Sequence, residues 1–184
     1  MHENLLAGIF VLIACDTVLS TPTSPERRFC YDIKKFVNTS EKIWTLKTTN
    51  MGNIICEYDK MMSIYEPEIY FQRTFLLHGR RCDVRLRGQF YRFHPDWMTV
   101  TDKGRKQLCT ERLLYLAPDH SCAVVKIASV GEGNEVRYDL RVRDSSIRER
   151  PQAECELRFT RAAKGRMVYH IYSSYCRQAY RTLR

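Results

Sequence analysis

The residues with chemistry to offer fall into three sets. The 184-residue chain has eight cysteines, an aromatic complement of eleven Tyr, eight Phe and two Trp, and a run of alternating charges late in the sequence. In the charged run, Val136, Tyr138, Leu140 and Val142 alternate with Arg137, Asp139, Arg141 and Arg143. Strand geometry sends the two sets to opposite faces. The charged face can therefore bind an ion or pair with itself. The aromatics Trp44, Tyr65, Tyr70, Phe71, Phe75, Phe90, Tyr91, Trp97 and Tyr115 all fall in or beside segments with strand character. Turned inward in a closed sheet, such rings either line an apolar ligand pocket or fill a solid core. Composition alone does not choose between the two.

Catalytic and metal chemistry lack their patterns. No Gly-rich phosphate loop, nucleophile elbow or H-E-x-x-H is present, so no enzyme and no cofactor is expected. Beyond the first twenty residues the histidines are His78, His94, His120 and His170, none in a recognisable catalytic context. A secreted basic ribonuclease would need two His and a Lys around a phosphate, and no context singles out such a trio. His120 and Cys122 offer two metal ligands in H-S-C but have no matching second pair, and no C-x-x-C occurs. No metal site is expected.

The net charge is +9, and the excess is concentrated late: from Arg137 to Arg184 there are twelve Lys or Arg against five Asp or Glu. A basic exterior attracts polyanions, so a host protein or a glycosaminoglycan is a possible partner. A solvated Arg-rich surface is the simpler reading. No nucleic-acid-binding motif is present, and no second apolar run is long enough to cross a bilayer, so neither nucleic acid nor membrane is expected as a partner.

The elements that must position these residues begin after a targeting segment. Leu5–Ala14 (LLAGIFVLIA) has the length and composition of a signal-peptide h-region, and Val18-Leu19-Ser20 allows cleavage after Ser20. Residues 1–20 are read as a signal peptide and 21–184 as one domain. Cleavage removes Glu3 and Asp16 and no Lys or Arg, which makes the mature chain more basic. It also removes Cys15, leaving an odd set: Cys30, Cys56, Cys82, Cys109, Cys122, Cys155 and Cys176. Secretion and this many cysteines imply disulfides, with at least one thiol left over. Asn38-Thr39-Ser40 is a sequon that permits glycosylation at Asn38.

Tyr31–Val37 reads as a short helix. Short strands follow at Lys42–Thr48, Asn53–Asp59, Glu68–Leu77, Asp83–Phe93, Leu108–Leu116, Cys122–Val130 and Val136–Arg143, with His94-Pro95-Asp96 as a breaker and Gly131–Asn134 as a hairpin turn. Pro151–Ala163 suits a helix with Pro in its first turn. Met167–Tyr172 reads as the eighth strand. Regularly spaced strands without intervening helices predict an all-β sandwich or barrel.

Four stretches resemble the tick salivary lipocalins of the histamine-binding-protein family. They are Asp32–Thr45 (DIKKFVNTSEKIWT), Ile55–Asp59 (ICEYD), Tyr138–Ser146 (YDLRVRDSS), and Cys155–Phe159 (CELRF) followed by Tyr172–Cys176 (YSSYC). The resemblance spans the mature chain. It implies an eight-stranded antiparallel lipocalin barrel with a short N-terminal helix and a C-terminal helix packed outside. It also implies disulfides Cys56–Cys176 and Cys122–Cys155. Cys30, Cys82 and Cys109 are then left over, and their pairing stays open; a Cys82–Cys109 bridge between strands, with Cys30 free, is one option.

The family implies a secreted salivary monomer that sequesters a small host mediator and so aids immune evasion. Its biogenic-amine binders resemble a pattern C-D-[V/I/L], E-L-[W/Y], then Cys. Here the spacing survives as Cys122-Ala123-Val124, Asp139-Leu140-Arg141 and Cys155: one Asp is missing and Arg replaces the aromatic. Asp139 aligns with the family's amine-holding Glu. If that face points inward, Arg141 also points inward and suits a carboxylate or phosphate. The expected function thus leans to an anionic lipid such as a leukotriene or fatty acid anchored on Arg141. Histamine or serotonin held by Asp139 and Trp44 is the alternative. Trp44 and Asp139 are the pocket residues that the resemblance places; Tyr70, Phe71, Phe90 and Tyr115 rest on strand position alone.

Overall fold

A computed structural model describes residues 31–131, 135–148 and 152–182. The signal segment, Cys30, turn residues 132–134 and Pro151 lie outside the described residues. The chain opens with α1 (Ile33–Val37), started by Asp32, whose side chain accepts from the Lys34 amide at 3.0 Å. Ile33, Phe36 and Val37 lie on one side, as three- and four-residue spacing requires, and all three are buried.

Strands β1 (Lys42–Thr48), β2 (Ile54–Tyr65), β3 (Glu68–Leu77), β4 (Arg80–Tyr91), β5 (His94–Thr101), β6 (Gln107–Leu116), β7 (Cys122–Ser129) and β8 (Val136–Arg143) follow. From β2 to β8 each pairs antiparallel with the next; β1 pairs with both β8 and β2 and closes the barrel. The fold is the expected eight-stranded antiparallel lipocalin barrel. Helix α2 (Ala153–Ala162) packs outside on β7 and β8, and the chain ends in α3 (Tyr175–Thr182).

Two elements differ from expectation. The fifth strand is β5, which begins at the residues read as a breaker. A proline is tolerated at the start of a strand, and the β4–β5 ladder is irregular there, stepping from Tyr91↔His94 to Phe90↔Met98. The segment Met167–Tyr172 contributes only the two-residue β9 (Tyr169–His170) against β1, outside the closed set.

The barrel has a buried inside and two buried patches outside. Inside, α1 closes one end over Ile43, Ile69, Phe71, Leu86, Phe90, Met98 and Val100. Gly88 sits on this inner face. A Cβ there would lie 2.8 Å from Ile69 Cγ2 and 3.1 Å from Met98 Sδ, so the wall admits no side chain at that point. Outside, Tyr115, Val124, Leu140 and Val142 pack against Cys155 and Phe159 of α2. A second patch joins Trp44, Cys56, Tyr58 and Leu76 to Cys176, Ala179 and Tyr180 of α3.

Each outer helix is tied down covalently. Cys122–Cys155 fastens α2 to β7, and Cys56–Cys176 fastens α3 to β2 across 120 residues of sequence. Closing so long a loop contributes roughly 3–5 kcal/mol in the chain-entropy account. Cys82 and Cys109 are free thiols, so the optional bridge between them does not form. Cys82 lies on β4 and Cys109 on β6, and β5 runs between those strands.

Candidate functional site

A belt of charge crosses the barrel interior. Strand alternation sends Asp139 and Arg141 of β8 inward, as it does Glu111 of β6, Arg73 of β3 and Glu57 of β2. A register shift between Ile55 and Tyr58, with Cys56 at φ 57°, sets the facing of this part of β2. Arg73 grips Asp59 through two bonds of 2.7 Å and reaches Glu111 Oε1 at 2.9 Å. Arg141 grips Glu111 from the other side at 2.7 and 3.0 Å and reaches Asp139 Oδ2 at 3.2 Å. The Thr48 hydroxyl donates to Asp139 Oδ1 at 2.7 Å, and the Thr45 hydroxyl donates to Glu57 Oε1 at 2.9 Å. Arg137 stands at the rim, 3.6 Å from Asp139.

The belt holds four carboxylates, those of Glu57, Asp59, Glu111 and Asp139, against the two buried guanidinium groups of Arg73 and Arg141 and that of Arg137 at the rim. Burial pushes the Glu111 carboxyl up, but the charges and hydrogen bonds of Arg141 and Arg73 prevail and hold it well below the usual carboxylate range. Burial likewise opposes the charge of Arg141 and Arg73. The surrounding carboxylates, Glu111 foremost for Arg141 and Asp59 foremost for Arg73, keep both firmly protonated. Nearby on the same face, burial and then the Glu111 charge push the Cys109 thiol up to about 11, so at neutral pH it is a thiol and a poor nucleophile.

Between the belt and α1 lies a small cavity. Its wall is Phe36, Val37, Ile43, Met61, Ile69, Phe71 and Met98, and its polar side is Asp59 and Arg141. The volume is about 20 Å³, room for little more than a water molecule. Arg141 Nε is buried and has no hydrogen-bond partner among the described residues.

The structure divides the sequence-predicted site residues. Phe71 and Arg141 line the cavity. Asp139 is buried in the belt beside it, and Phe90 is buried in the inner cluster under Lys34 of α1. Three residues are not brought to the interior. Trp44 faces outward from β1, covered by Tyr58, Tyr172 and Tyr180, with its indole N–H donating to Asp144 at 2.6 Å. Tyr115 faces α2 and meets Tyr31 edge-on. Tyr70 is exposed and donates to Glu68. Arg141 reaches the cavity, but its terminal nitrogens are already engaged by carboxylates. Asn38 is exposed at the end of α1.

Sequence reasoning missed Asp59, Glu111, Glu57 and Arg73. One signal was present: Glu111 falls between Cys109 and Leu113 on the otherwise apolar face of its strand. A charge in an apolar stripe marks either a paired buried ion or a site.

No protein-family model matches the chain, and no curated protein matches it. Solved structures do. The chain is similar to AM182, solved as a serotonin complex, at 24% identity and a TM-score of 0.63, over 80% of this chain and 93% of that one. Japanin from Rhipicephalus appendiculatus, bound to cholesterol, matches at 6% identity and 0.56, over 75% and 97%. The siderocalin Ex-FABP matches at 13% identity and 0.55, over 73% and 94%. At these identities the likeness establishes the lipocalin fold.

Proposed function

We propose that this chain is a secreted lipocalin that sequesters a compact organic cation, a biogenic amine such as serotonin or histamine, inside its barrel. The observation that carries this reading is the excess of carboxylate over guanidinium in the belt. A desolvated ammonium needs a carboxylate partner and gains from aromatic faces. Asp59, with Phe36 and Phe71 in the same cavity wall, supplies both once its two bonds to Arg73 are shared with the ligand. The AM182 serotonin complex is consistent with it.

An anionic lipid anchored on Arg141 is disfavoured by the same geometry. Its head group would displace a carboxylate from Arg141 and sit beside Asp59 and Glu111. Admission of an amine requires the cavity to expand. Met61 and Met98, unbranched and adaptable, and the five-residue α1 are the parts that can yield.

Calorimetric titration with serotonin, histamine and arachidonate tests the reading. Saturable 1:1 amine binding is expected, with Asp59→Asn weakening it at least tenfold. Phe71→Leu, which keeps every charge of the belt but removes the ring beneath Arg73, weakens it severalfold. Tight arachidonate binding with no amine binding overturns the reading.

A second reading rests on a different face. Burial and then nearby Lys60, Arg81 and Arg177 lower the Lys42 pKa against Asp144, and Arg177 shares a surface groove with Arg148 and Arg181. Such crowding of like charge suits a sulfated glycosaminoglycan. Retention on heparin that collapses at modest salt supports it; passage through the column at low salt rules it out.

A further inference from the structure

Strand β4 runs past the end of its neighbour. It pairs with β3 along its whole length, but its ladder with β5 begins only at Arg87↔Thr101. Residues 80–86 therefore form an edge, and among the described residues no strand lies against it. The hairpin into β4 fixes which backbone groups face that open side. His78 and Gly79 form a two-residue turn with φ of 50° and 75°, so Leu77 and Arg80 close it as a hydrogen-bonded pair. At the other end of the same ladder the Phe90 amide donates to the Pro67 carbonyl, in the same phase. Hydrogen-bonded and non-hydrogen-bonded pairs alternate in an antiparallel ladder. Arg80, Cys82, Val84 and Leu86 thus turn their N–H and C=O groups to β3, and Arg81, Asp83 and Arg85 turn theirs to the open side.

The side chains on this edge are nearly all exposed. Arg81 and Asp83 share one face, and Arg81 Nε donates to Asp83 Oδ2 at 3.0 Å. Cys82, between them on the other face, is a free, half-buried thiol whose recorded contact is the Arg80 carbonyl at 3.9 Å. The other free thiol among the described residues, Cys109, is buried. An open strand edge is a template for another strand. The order Arg81-Cys82-Asp83 is complementary to itself when read in the opposite direction.

We propose that residues 80–86 are a docking edge for a second copy of this chain, in a two-fold symmetric dimer that aligns β4 antiparallel with itself about Cys82 and is closed by a Cys82–Cys82 disulfide. In this register the open-side backbone groups meet each other: Arg81 of each copy lies opposite Asp83 of the other, as hydrogen-bonded pairs with opposite charges. Cys82 falls opposite itself at a non-hydrogen-bonded position, where Cα atoms stand about 4.5 Å apart. That separation is within the span of a disulfide. Arg85 falls opposite Gly79, which has no side chain to oppose it. A register about Asp83 would set two carboxylates together and Arg81 against Arg85, and would part the thiols. Arginine outnumbers aspartate on the edge, so the Arg81–Asp83 pairs set the register and the disulfide holds the copies together.

The oxidant is a small-molecule disulfide of the glutathione type. Cys82 of one copy attacks it as thiolate, forms a mixed disulfide and releases one glutathione thiol. Cys82 of the second copy attacks the protein sulfur of that mixed disulfide and releases the other. Two protein thiols and one oxidised glutathione give one protein disulfide and two reduced glutathiones. In the cell this step rests on the secreted reading, because secretion supplies the oxidant. It uses none of the belt residues, so its failure leaves the amine reading standing.

The experiment incubates the full secreted chain with a mixture of reduced and oxidised glutathione and reads its mass by light scattering and non-reducing electrophoresis. The expected product is a dimer that mild reduction returns to monomer, with a Cys82–Cys82 peptide in its digest. Cys82→Ser stays monomeric, and Cys109→Ser still dimerises. Arg81→Asp sets like charges across the register and slows dimer formation at least tenfold, although it lowers the overall repulsion between two basic edges. The double variant Arg81→Asp/Asp83→Arg restores opposite charges with their places exchanged and recovers the rate, which excludes misfolding as the cause of the slowing.

A chain that stays monomeric with Cys82 open to alkylation overturns the proposal, as does a dimer joined through Cys30 or Cys109. A dimer that Arg81→Asp leaves unchanged or speeds up is a chance thiol contact and overturns the edge pairing. Amide exchange tests the other occupants. In monomeric Cys82→Ser the Arg81 and Asp83 amides are expected to exchange freely; protection there means that another part of this chain covers the edge, and the dimer is refuted. Cys82 recovered in a disulfide with a different protein assigns the edge to a foreign partner and refutes it equally.

Discussion

The two faces of β8 are equally inaccessible and built on opposite principles. Leu140 and Val142 are 0% exposed, as is Asp139, and Arg141 is 2% exposed. The outer pair is covered by α2 through apolar packing around Cys155 and Phe159. The inner pair is held in a network in which Arg141 answers Glu111 across the barrel and Asp139 beside it on the same strand. Apolar packing is forgiving: removal of atoms loses area and leaves a void. A buried ion network is all-or-none, because deletion of one member strands its partners in low dielectric. An interior that carries more carboxylate than guanidinium is a poor way to gain stability, and that imbalance is the reason for reading it as a site.

The largest expected effect comes from Glu111, the carboxylate shared by Arg73 and Arg141. Glu111→Leu strands two buried guanidinium groups and is expected to lower unfolding free energy by about 3–5 kcal/mol in urea titration. A loss under about 1 kcal/mol would mean that the belt is solvated. The same residue sets an acid limb. Its folded pKa is depressed, so its contribution is fully present above the ordinary carboxylate range and is lost as pH falls through the folded value. The wild-type chain should therefore hold its stability from pH 7 to 5 and lose it only in stronger acid, and Glu111→Gln should flatten that limb.

On the outer face Leu140→Ala is expected to lose about 2–5 kcal/mol, through lost burial and a cavity under α2. Unlike Glu111→Leu, it should leave amine binding unchanged. A change in amine affinity would show that the two faces of β8 are coupled.

Strand alternation made the two faces of Val136–Arg143 legible, but not which buried face holds which partners. That is why the aromatics divided as they did. Trp44 alternates with Ile43 and Thr45, both of which face inward, so it lies on the opposite face of β1 from the pocket in which the resemblance placed it. The outside of β1 is also buried, beneath α3, and α3 was not visible. Its sequence YCRQAYRT has few apolar residues, and it is held in place by Cys176 and Tyr180 rather than by a long apolar stripe. The resemblance supplied the two disulfides. Nothing in the sequence paired Cys82 or Cys109, whose strands are separated by a strand that the Pro95 signal had hidden. The belt was half legible: Asp139 and Arg141 stood out as an alternating pair, whereas Glu111 and Asp59 gain meaning only when β6 and β2 are brought opposite β8.

A smaller effect is expected at Thr48, whose hydroxyl donates to Asp139 within the belt. Thr48→Val keeps the shape and removes one hydrogen bond to a buried charge, for an expected loss of about 1.5–3 kcal/mol. Thermal unfolding measures it. The size of the loss reports how far Asp139 depends on Thr48 rather than on Arg141, since both bond it directly.

The smallest effect should come from an ion pair outside the barrel. Glu154 and Arg158 sit one turn apart on α2 with a contact of 2.6 Å, shorter than any in the belt, yet both side chains are more than 40% exposed. Water screens them and competes for both groups, and ordering two long side chains offsets much of the attraction. Glu154→Gln is expected to change stability by less than about 0.5 kcal/mol, and by less still at high salt. If that variant instead cost as much as Thr48→Val, contact distance rather than desolvation would govern ion-pair strength in this molecule. The inner face of β8 would then differ from the rest of the protein in geometry alone, and the argument from its buried excess of carboxylate would lose its footing.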